Sequence, residues 1–251
     1  FNSNAIENST LTLDETEKII LEMEVSRNVS LREVFEAKNL ARIMQYLEGG
    51  QIEKRINKDR ILFLHKMLIT NIHDEIAGRF RNLNEYVRVG SYIAYAPSKI
   101  ESALEHALNE YYVNKDINVV ERIARFHLEF ESIHPFCDGN GRIGRMLTNY
   151  QFLQNNLPPI IIRDKEKKIY YKAFKKYQFG KTKATKEMED VLTLALFESL
   201  HKRITYLEGK KVIFLSEYAK IEKISLSMLL NKAKRQTINA FRERGVWKIG
   251  I

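Results

Sequence analysis

The stretch His134-Pro-Phe-Cys-Asp-Gly-Asn-Gly-Arg-Ile-Gly-Arg145 concentrates more chemistry than any other part of this 251-residue chain. Two glycines flank Asn140, and a helical pattern follows (Met146, Leu147, Tyr150, Leu153). Glycines at such positions permit positive φ, so successive backbone N–H groups turn into one concavity, and the start of a helix adds its positive dipole end. Arg142 and Arg145 are three residues apart and share one helix face. Two guanidiniums beside an N–H nest make a polyphosphate site. Asp138 is suited to a Mg²⁺ that bridges phosphates, and His134 to general-base work near neutral pH. The plainer alternative is a tight glycine turn between two helices, with His134 as a cap and both arginines solvated.

Outward from this stretch, helical periods dominate. Thr12 with Glu15 predicts a capping box ahead of Ile19, Ile20 and Met23. Ser30 with Glu33 predicts a second box, opening a helix with Val34, Ala37, Leu40, Ala41, Met44 and Leu47 inward and Gly49-Gly50 at its end. Ile61, Leu64, His65, Leu68 and Ile72 mark a third helix. Residues 88–97 are rich in β-formers and read as a short hairpin. Residues 100–112, 117–132, 170–178 and 188–207 return to helical spacing, and Pro158-Pro159 breaks the chain. The expected class is mainly α, with no internal repeat.

At 44% hydrophobic, 29% charged and 4 Pro, the composition is that of a globular chain. No apolar run reaches the roughly 18–20 residues of a membrane span. The chain opens on Phe1 without a secretory signal, so a fragment is expected. A single Cys, Cys137, excludes an internal disulfide framework and fits a cytoplasmic setting. The net charge of +9 is uneven: from His201 onward 12 Lys and Arg face 4 acidic residues, and the rest is nearly neutral. A boundary is expected near Gly209. Beyond it, short helices over 216–221 and 225–235 precede a hairpin around Gly245. The second of these helices turns Leu226, Leu229, Leu230 and Ala233 inward. This order resembles a small winged helix-turn-helix module, with Lys232, Lys234, Arg235, Arg242 and Arg244 as candidate DNA-phosphate contacts. The alternative is a packing module that buries Trp247 and leaves its cations in water.

The 134–145 stretch matches, at every fixed position, the Fic signature H-P-F-x-[D/E]-G-N-G-R-x-x-R. Ala77-Gly-Arg-Phe-Arg81, the hairpin ending at Ala96-Pro97-Ser98, Ile123-Ala-Arg-Phe-His127 and Leu157-Pro-Pro-Ile-Ile-Ile-Arg163 follow the family's order. The resemblance spans roughly residues 1 to 205. It implies a Fic-fold helical bundle with a target-docking flap, and transfer of AMP from ATP to a Tyr, Thr or Ser hydroxyl of a protein. By the same resemblance His134 takes the hydroxyl proton, Asp138 binds Mg²⁺ or Mn²⁺, and Gly139, Asn140 and Gly141 form the anion hole. Arg142 and Arg145 meet the β- and γ-phosphates, and Tyr171 meets the adenine.

Ser3-Asn-Ala-Ile-Glu7-Asn8 alone is an ordinary terminal segment. It resembles the family's inhibitory motif [S/T]-x-x-x-E-[G/N], which implies that Glu7 pairs with Arg145 and blocks productive ATP binding. The expected organisation is an inhibitory segment over 1–30, a Fic domain over 31–208 and a basic module over 209–251. Partners are ATP and a protein with an extended hydroxyl-bearing segment, with DNA and a second copy of the chain as further candidates and no membrane. Three other readings remain open here: a de-AMPylating hydrolase, a DNA-binding regulator that senses nucleotide, and a site for another nucleotide donor or a phosphorylated metabolite.

Overall fold

A computed structural model describes residues 1–22, 29–49, 55–180 and 182–251. Met23 and Gly50, read above as parts of helix faces and ends, lie outside the described residues. The elements run α1 (Asn2–Ile6), α2 (Leu13–Leu21), α3 (Leu31–Glu48), α4 (Lys58–Ile69), β1 (Arg88–Val89), β2 (Tyr92–Ile93), α5 (Ile100–Val113), α6 (Val119–Ile133), α7 (Asn140–Gln154), α8 (Lys167–Phe179) and α9 (Lys186–Leu207). After these come β3 (Val212–Phe214), α10 (Leu215–Ile221), α11 (Leu226–Lys234), β4 (Ala240–Glu243) and β5 (Val246–Gly250).

The centre is α6. Ile123, Ala124, Phe126, Leu128, Phe130 and Ile133 are all buried, so apolar residues go almost all the way round the helix. A helix of that kind is surrounded, and α5, α7, α8 and α9 pack against it. Its partner α7 buries Ile143, Met146, Leu147, Tyr150 and Phe152 in the same core. The loop 134–139 therefore leaves one core helix and enters the next, and its geometry inherits their rigidity.

The helix starts carry the expected chemistry, with differences of detail. Thr12 and Glu15 form the reciprocal box that opens α2, but only Ile19 turns inward and Ile20 is exposed. Ser30 caps α3 by accepting from the Glu33 N–H, yet the Glu33 carboxylate is drawn to Ser9 and Thr10. On α3 the most deeply buried residues include Glu36, Asn39 and Ile43 beside Ala37 and Leu47, because polar groups there have partners inside the fold. Helix α4 ends at Ile69, so Ile72 lies beyond it. The hairpin forms as β1 and β2, with Arg88 opposite Ile93 and Val89 opposite Tyr92.

The C-terminal elements build a three-stranded antiparallel sheet in the order β3-β5-β4, with α10 and α11 between its first two strands in sequence. Ile213, Leu215, Ala219, Leu229, Ala233, Ala240 and Ile249 form a hydrophobic cluster of their own. Strand β3 has too few residues to show a period in sequence, and pairing of Ile213 with Ile249 is what makes it a strand. Ser216 sits inside α10 and does not cap it, and Leu226, expected inward, is exposed in the first turn of α11. Among the described residues no helix is long and apolar enough to cross a membrane.

Candidate active site

Helix α6 stops at His134, which takes left-handed backbone angles (φ 50°, ψ 63°) and turns the chain into the loop. Three clamps fix that loop. Asn140 closes the loop onto Phe136: its Oδ1 accepts from the Phe136 N–H at 2.9 Å, and its Nδ2 donates to the Phe136 carbonyl at 2.8 Å. Phe136 is fully buried and stacks on His65 with centroids 3.7 Å apart. His65 accepts from the Gly78 N–H at Nδ1 (3.0 Å), which leaves Nε2 to donate to the Asp138 carbonyl at 3.1 Å. Burial holds the His65 pKa down at about 4, so the ring stays neutral in this tautomer. The third clamp is Arg81. It donates to the carbonyls of His134 (2.8 Å), Ile133 (3.2 Å), Glu85 (2.8 Å) and Tyr95 (2.7 Å), tying the loop to the base of the β1–β2 hairpin. Tyr92 of that hairpin donates to the Ser132 carbonyl. Ala96, Pro97 and Ser98 form the turn that leads from the hairpin into α5.

His134 is held nearly free of water. Burial, with Arg81 adding to it, pulls its pKa to about 4, so the imidazole is neutral and able to accept a proton. Gly139 has φ +84°, a conformation that favours glycine, and its N–H donates to Asp138 Oδ1 at 2.6 Å. The first N–H bonded along α7 is that of Ile143, to the Gly139 carbonyl at 3.0 Å. The amides of Asn140, Gly141 and Arg142 therefore stand at the open, positive end of α7. Gly141 is required for space and not for positive φ: a Cβ there would lie 2.4 Å from Glu7 Oε1.

Acidic groups meet the guanidiniums one by one. Arg145 is buried; its Nε donates to Ser3 Oγ at 3.0 Å, and its Nη2 donates to the Ser3 carbonyl at 2.8 Å and to Glu7 Oε1 at 2.9 Å. Asn8 has φ 68° and accepts from Lys167 at 2.7 Å. All three defined positions of the N-terminal motif thus have a physical reason: a hydroxyl on Arg145, a carboxylate on Arg145, and a residue that tolerates left-handed backbone. Arg142 is buried, 3.0 Å from Glu36 Oε1 and 3.2 Å from Asp138 Oδ1. Asp138 Oδ2 accepts from Arg32 of α3 at 2.6 Å. Burial pushes the Asp138 pKa up, but Arg142 and Arg32 outweigh it and keep the carboxyl ionised.

Asp138 is one ionised carboxylate whose guanidinium neighbours oppose a second cation, so it would hold a hard divalent ion only where phosphate oxygens and water supply the other ligands. Among the described residues no group of three or more His, Cys, Asp or Glu side chains holds a metal unaided. The fit therefore depends on a nucleotide.

Tyr171 on α8 is partly exposed; burial, with Glu7 adding to it, lifts its pKa to about 12. Beside it Tyr170 is buried, its hydroxyl 2.7 Å from His127 Nε2. Glu131, one turn before His134, has Oε1 buried without a partner and Oε2 at 4.0 Å from His134 Nδ1. Arg32, Glu36, His65, Arg81 and Glu131 were not assigned to the site from sequence. The only available signal was His65 and Glu36 falling on otherwise inward helix faces.

The predicted cations of the C-terminal module divide. Lys232, Lys234 and Arg235 are exposed at the end of α11. Arg244 pairs with Glu17 at 2.9 Å across an open surface. Arg242 is not a surface cation: it is largely buried against Trp247 and donates to both oxygens of Glu198 and to Glu166 at 2.7 Å. Arg163 joins the same Glu198 at 2.5 Å.

A family model described as Fic/DOC family matches residues 55–152. The protein adenylyltransferase Fic of Nematostella vectensis is 31% identical over 185 residues, covering 72% of this chain and 43% of that protein. The protein adenylyltransferase fic-1 of Caenorhabditis elegans is 29% identical over 178 residues, covering 68% and 34%. The chain thus spans less than half the length of these curated relatives. Among solved structures, Fic-1 from C. elegans superposes with TM-score 0.72 at 24% identity, over 83% of this chain and 62% of that one. A Fic domain containing signaling protein from Bacteroides thetaiotaomicron gives 0.74 at 24% identity, over 84% and 85%.

Proposed function

Because the chain carries a Fic domain, we propose that it is a protein adenylyltransferase held in an inhibited state by its own N-terminus. The observation that carries this reading is the juxtaposition of a neutral, partly buried His134 with the open N-terminus of α7 and with the buried Arg142 and Arg145 behind it. In this reading ATP lays its phosphates on the amides of Asn140, Gly141 and Arg142, with Arg142 and Arg145 taking the outer phosphates. Asp138 would hold a Mg²⁺ or Mn²⁺ ion, which would supply charge neutralisation to the phosphates. Tyr171 lines the nucleoside end. The target's hydroxyl-bearing segment pairs beside the hairpin, and His134 removes the hydroxyl proton as the oxygen approaches the α-phosphorus. Positioning and charge stabilisation supply most of the acceleration, and one proton transfer the rest.

Glu7 is the brake. While its carboxylate occupies Arg145, the γ-phosphate has no guanidinium to meet, and the nucleotide is misaligned for in-line attack. The test uses ATP labelled at the α- or the γ-phosphate, with the released variant Glu7→Gly and a cell lysate. Transfer of AMP places the α-label, and not the γ-label, on protein. A γ-label on protein, or α-label released only as free AMP from modified targets, would replace this reading with phosphotransfer or with hydrolysis.

The strand–helix–helix–hairpin order of residues 209–251 supports a winged-helix reading, and the exposed Lys232, Lys234 and Arg235 support contact with DNA phosphates. Arg242 drops out of that surface. Binding to duplex DNA that weakens steeply with salt, and weakens further when the three α11 cations are replaced by Ala, tests it.

A further inference from the structure

The resemblance gives no role to Arg32, yet this residue touches the carboxylate expected to hold the metal. Three donors surround Asp138. The Gly139 N–H and Arg142 Nη2 reach Oδ1 at 2.6 and 3.2 Å, and Arg32 Nη2 reaches Oδ2 at 2.6 Å. The first two belong to the loop and to α7 itself. Arg32 comes from the first turn of α3, 106 residues earlier. Its Nε is steadied by Glu36 Oε1 at 3.1 Å, the same oxygen that lies 3.0 Å from Arg142 Nη1.

The three guanidiniums of the site differ in freedom. Arg142 and Arg145 are buried, each against a carboxylate, whereas the Arg32 side chain is 55% exposed. An exposed arginine gives up rotamer entropy to stay in one place. Here it meets Asp138 Oδ2, while the Gly139 N–H and Arg142 meet Oδ1. Without Arg32 or a metal, a polyphosphate entering this site would face an unneutralised Oδ2 beside the α7 N-terminus.

The geometry points to Arg32 as a nucleotide-binding residue that stands in for the divalent cation at Asp138, so that the site takes up a nucleoside triphosphate without metal. Two of the five N–H groups of Arg32 serve Glu36 and Asp138, and the half-exposed guanidinium has others to offer phosphate oxygens, whose geometry its planar fork matches. The inference rests on the nucleotide-site reading above and adds the residue that makes binding, as distinct from turnover, independent of metal.

The test is calorimetric titration of ATP into the parent chain, Arg32→Gln and Arg32→Lys, each in EDTA and in excess Mg²⁺. The parent is expected to bind ATP in both buffers. Arg32→Gln should lose roughly tenfold in affinity in EDTA, the scale of one charge-assisted hydrogen bond, and far less in Mg²⁺. Arg32→Lys should keep part of the EDTA affinity. Thermal unfolding of each variant, with the substituted side chain largely in solvent, reports that the fold is retained. Equal EDTA affinities for the parent and Arg32→Gln would overturn the inference while leaving the nucleotide site intact. An equal loss in both buffers would also overturn it, by making Arg32 an ordinary phosphate ligand. A parent that binds ATP in neither buffer would remove the nucleotide-site reading itself.

Discussion

Glu7 Oε1 accepts a hydrogen bond from Arg145 Nη2 at 2.9 Å, although 138 residues separate the two in sequence. The carboxylate lies against the N-terminus of α7, where only a glycine at 141 leaves it room. The pair joins two charges from distant elements: Arg145 is buried near the start of α7, and Glu7 ends a five-residue helix whose own stability is negligible. What holds Glu7 in place must therefore come from outside α1.

The main core, in which Ile6 is fully buried, is one such anchor, and Glu33 is a second. Its Oε1 accepts from the Thr10 N–H at 2.7 Å, the Thr10 hydroxyl at 2.9 Å and the Ser9 hydroxyl at 3.3 Å, immediately after the Glu7-Asn8 pair. Glu33→Ala removes all three, together with the Ser30 hydroxyl contact at the start of α3, and loosens the stem while leaving the Glu7–Arg145 pair itself intact. We expect self-modification or target labelling to rise several-fold, less than on removing Glu7 itself, with the melting temperature nearly unchanged. A labelling rate equal to the parent's would show that the stem is held elsewhere.

Glu131 sets a pH dependence of stability. Burial, with the charge of Glu7 adding to it and Arg145 opposing it, raises its pKa to about 8 from the ordinary 4.5. His127, His134, Tyr170 and Tyr171 face the same carboxyl. A raised carboxyl contributes fully below the unfolded value and loses that contribution as pH rises through the folded one. Glu131→Gln, neutral throughout, should therefore melt increasingly above the parent as pH goes from 5 to 8.5. A difference in melting temperature that does not change with pH would contradict the assignment.

Glu198 and Arg242 fasten the C-terminal elements to α9. Burial pushes the Glu198 pKa up, but Arg242 and Arg163 outweigh it and keep the carboxyl ionised. Removing one member of a buried pair strands the other, at a cost of about 3–5 kcal/mol. Glu198→Ala should thus lower the melting temperature by roughly 6–15 °C at this chain length. Lys232→Ala, on an open surface, should change it by under about 1–2 °C. Similar small shifts for both would mean that the Glu198 cluster is solvated.

Much of this site was legible because its chemistry is local. His134, Asp138, the glycines, Arg142 and Arg145 lie within twelve consecutive residues, and loop chemistry followed by helical spacing identifies them together. The rest was hidden for one physical reason. Arg32, Glu36, Arg81 and Glu131 are charged residues in or beside helical segments, and a pattern of apolar positions assigns such residues to solvent. Each owes its burial or its partner to a contact that tertiary packing creates, such as Arg81 with His134, 53 residues away. Strand β3 was missed in the same way, since its pairing with β5 is decided near the other end of the module. Arg242 was misread because charge alone does not distinguish a cation in water from one closed onto Glu198.

The central claim is that AMP transfer depends on His134 as the proton acceptor and that Glu7 restrains it. The most direct measurement is α-labelled ATP with Mg²⁺, added to the parent, Glu7→Gly and Glu7→Gly/His134→Ala, with and without cell lysate. The account predicts weak or no labelling of protein by the parent, strong labelling by Glu7→Gly, and none by the double variant. Equal labelling by parent and Glu7→Gly, or labelling that survives loss of His134, would contradict it.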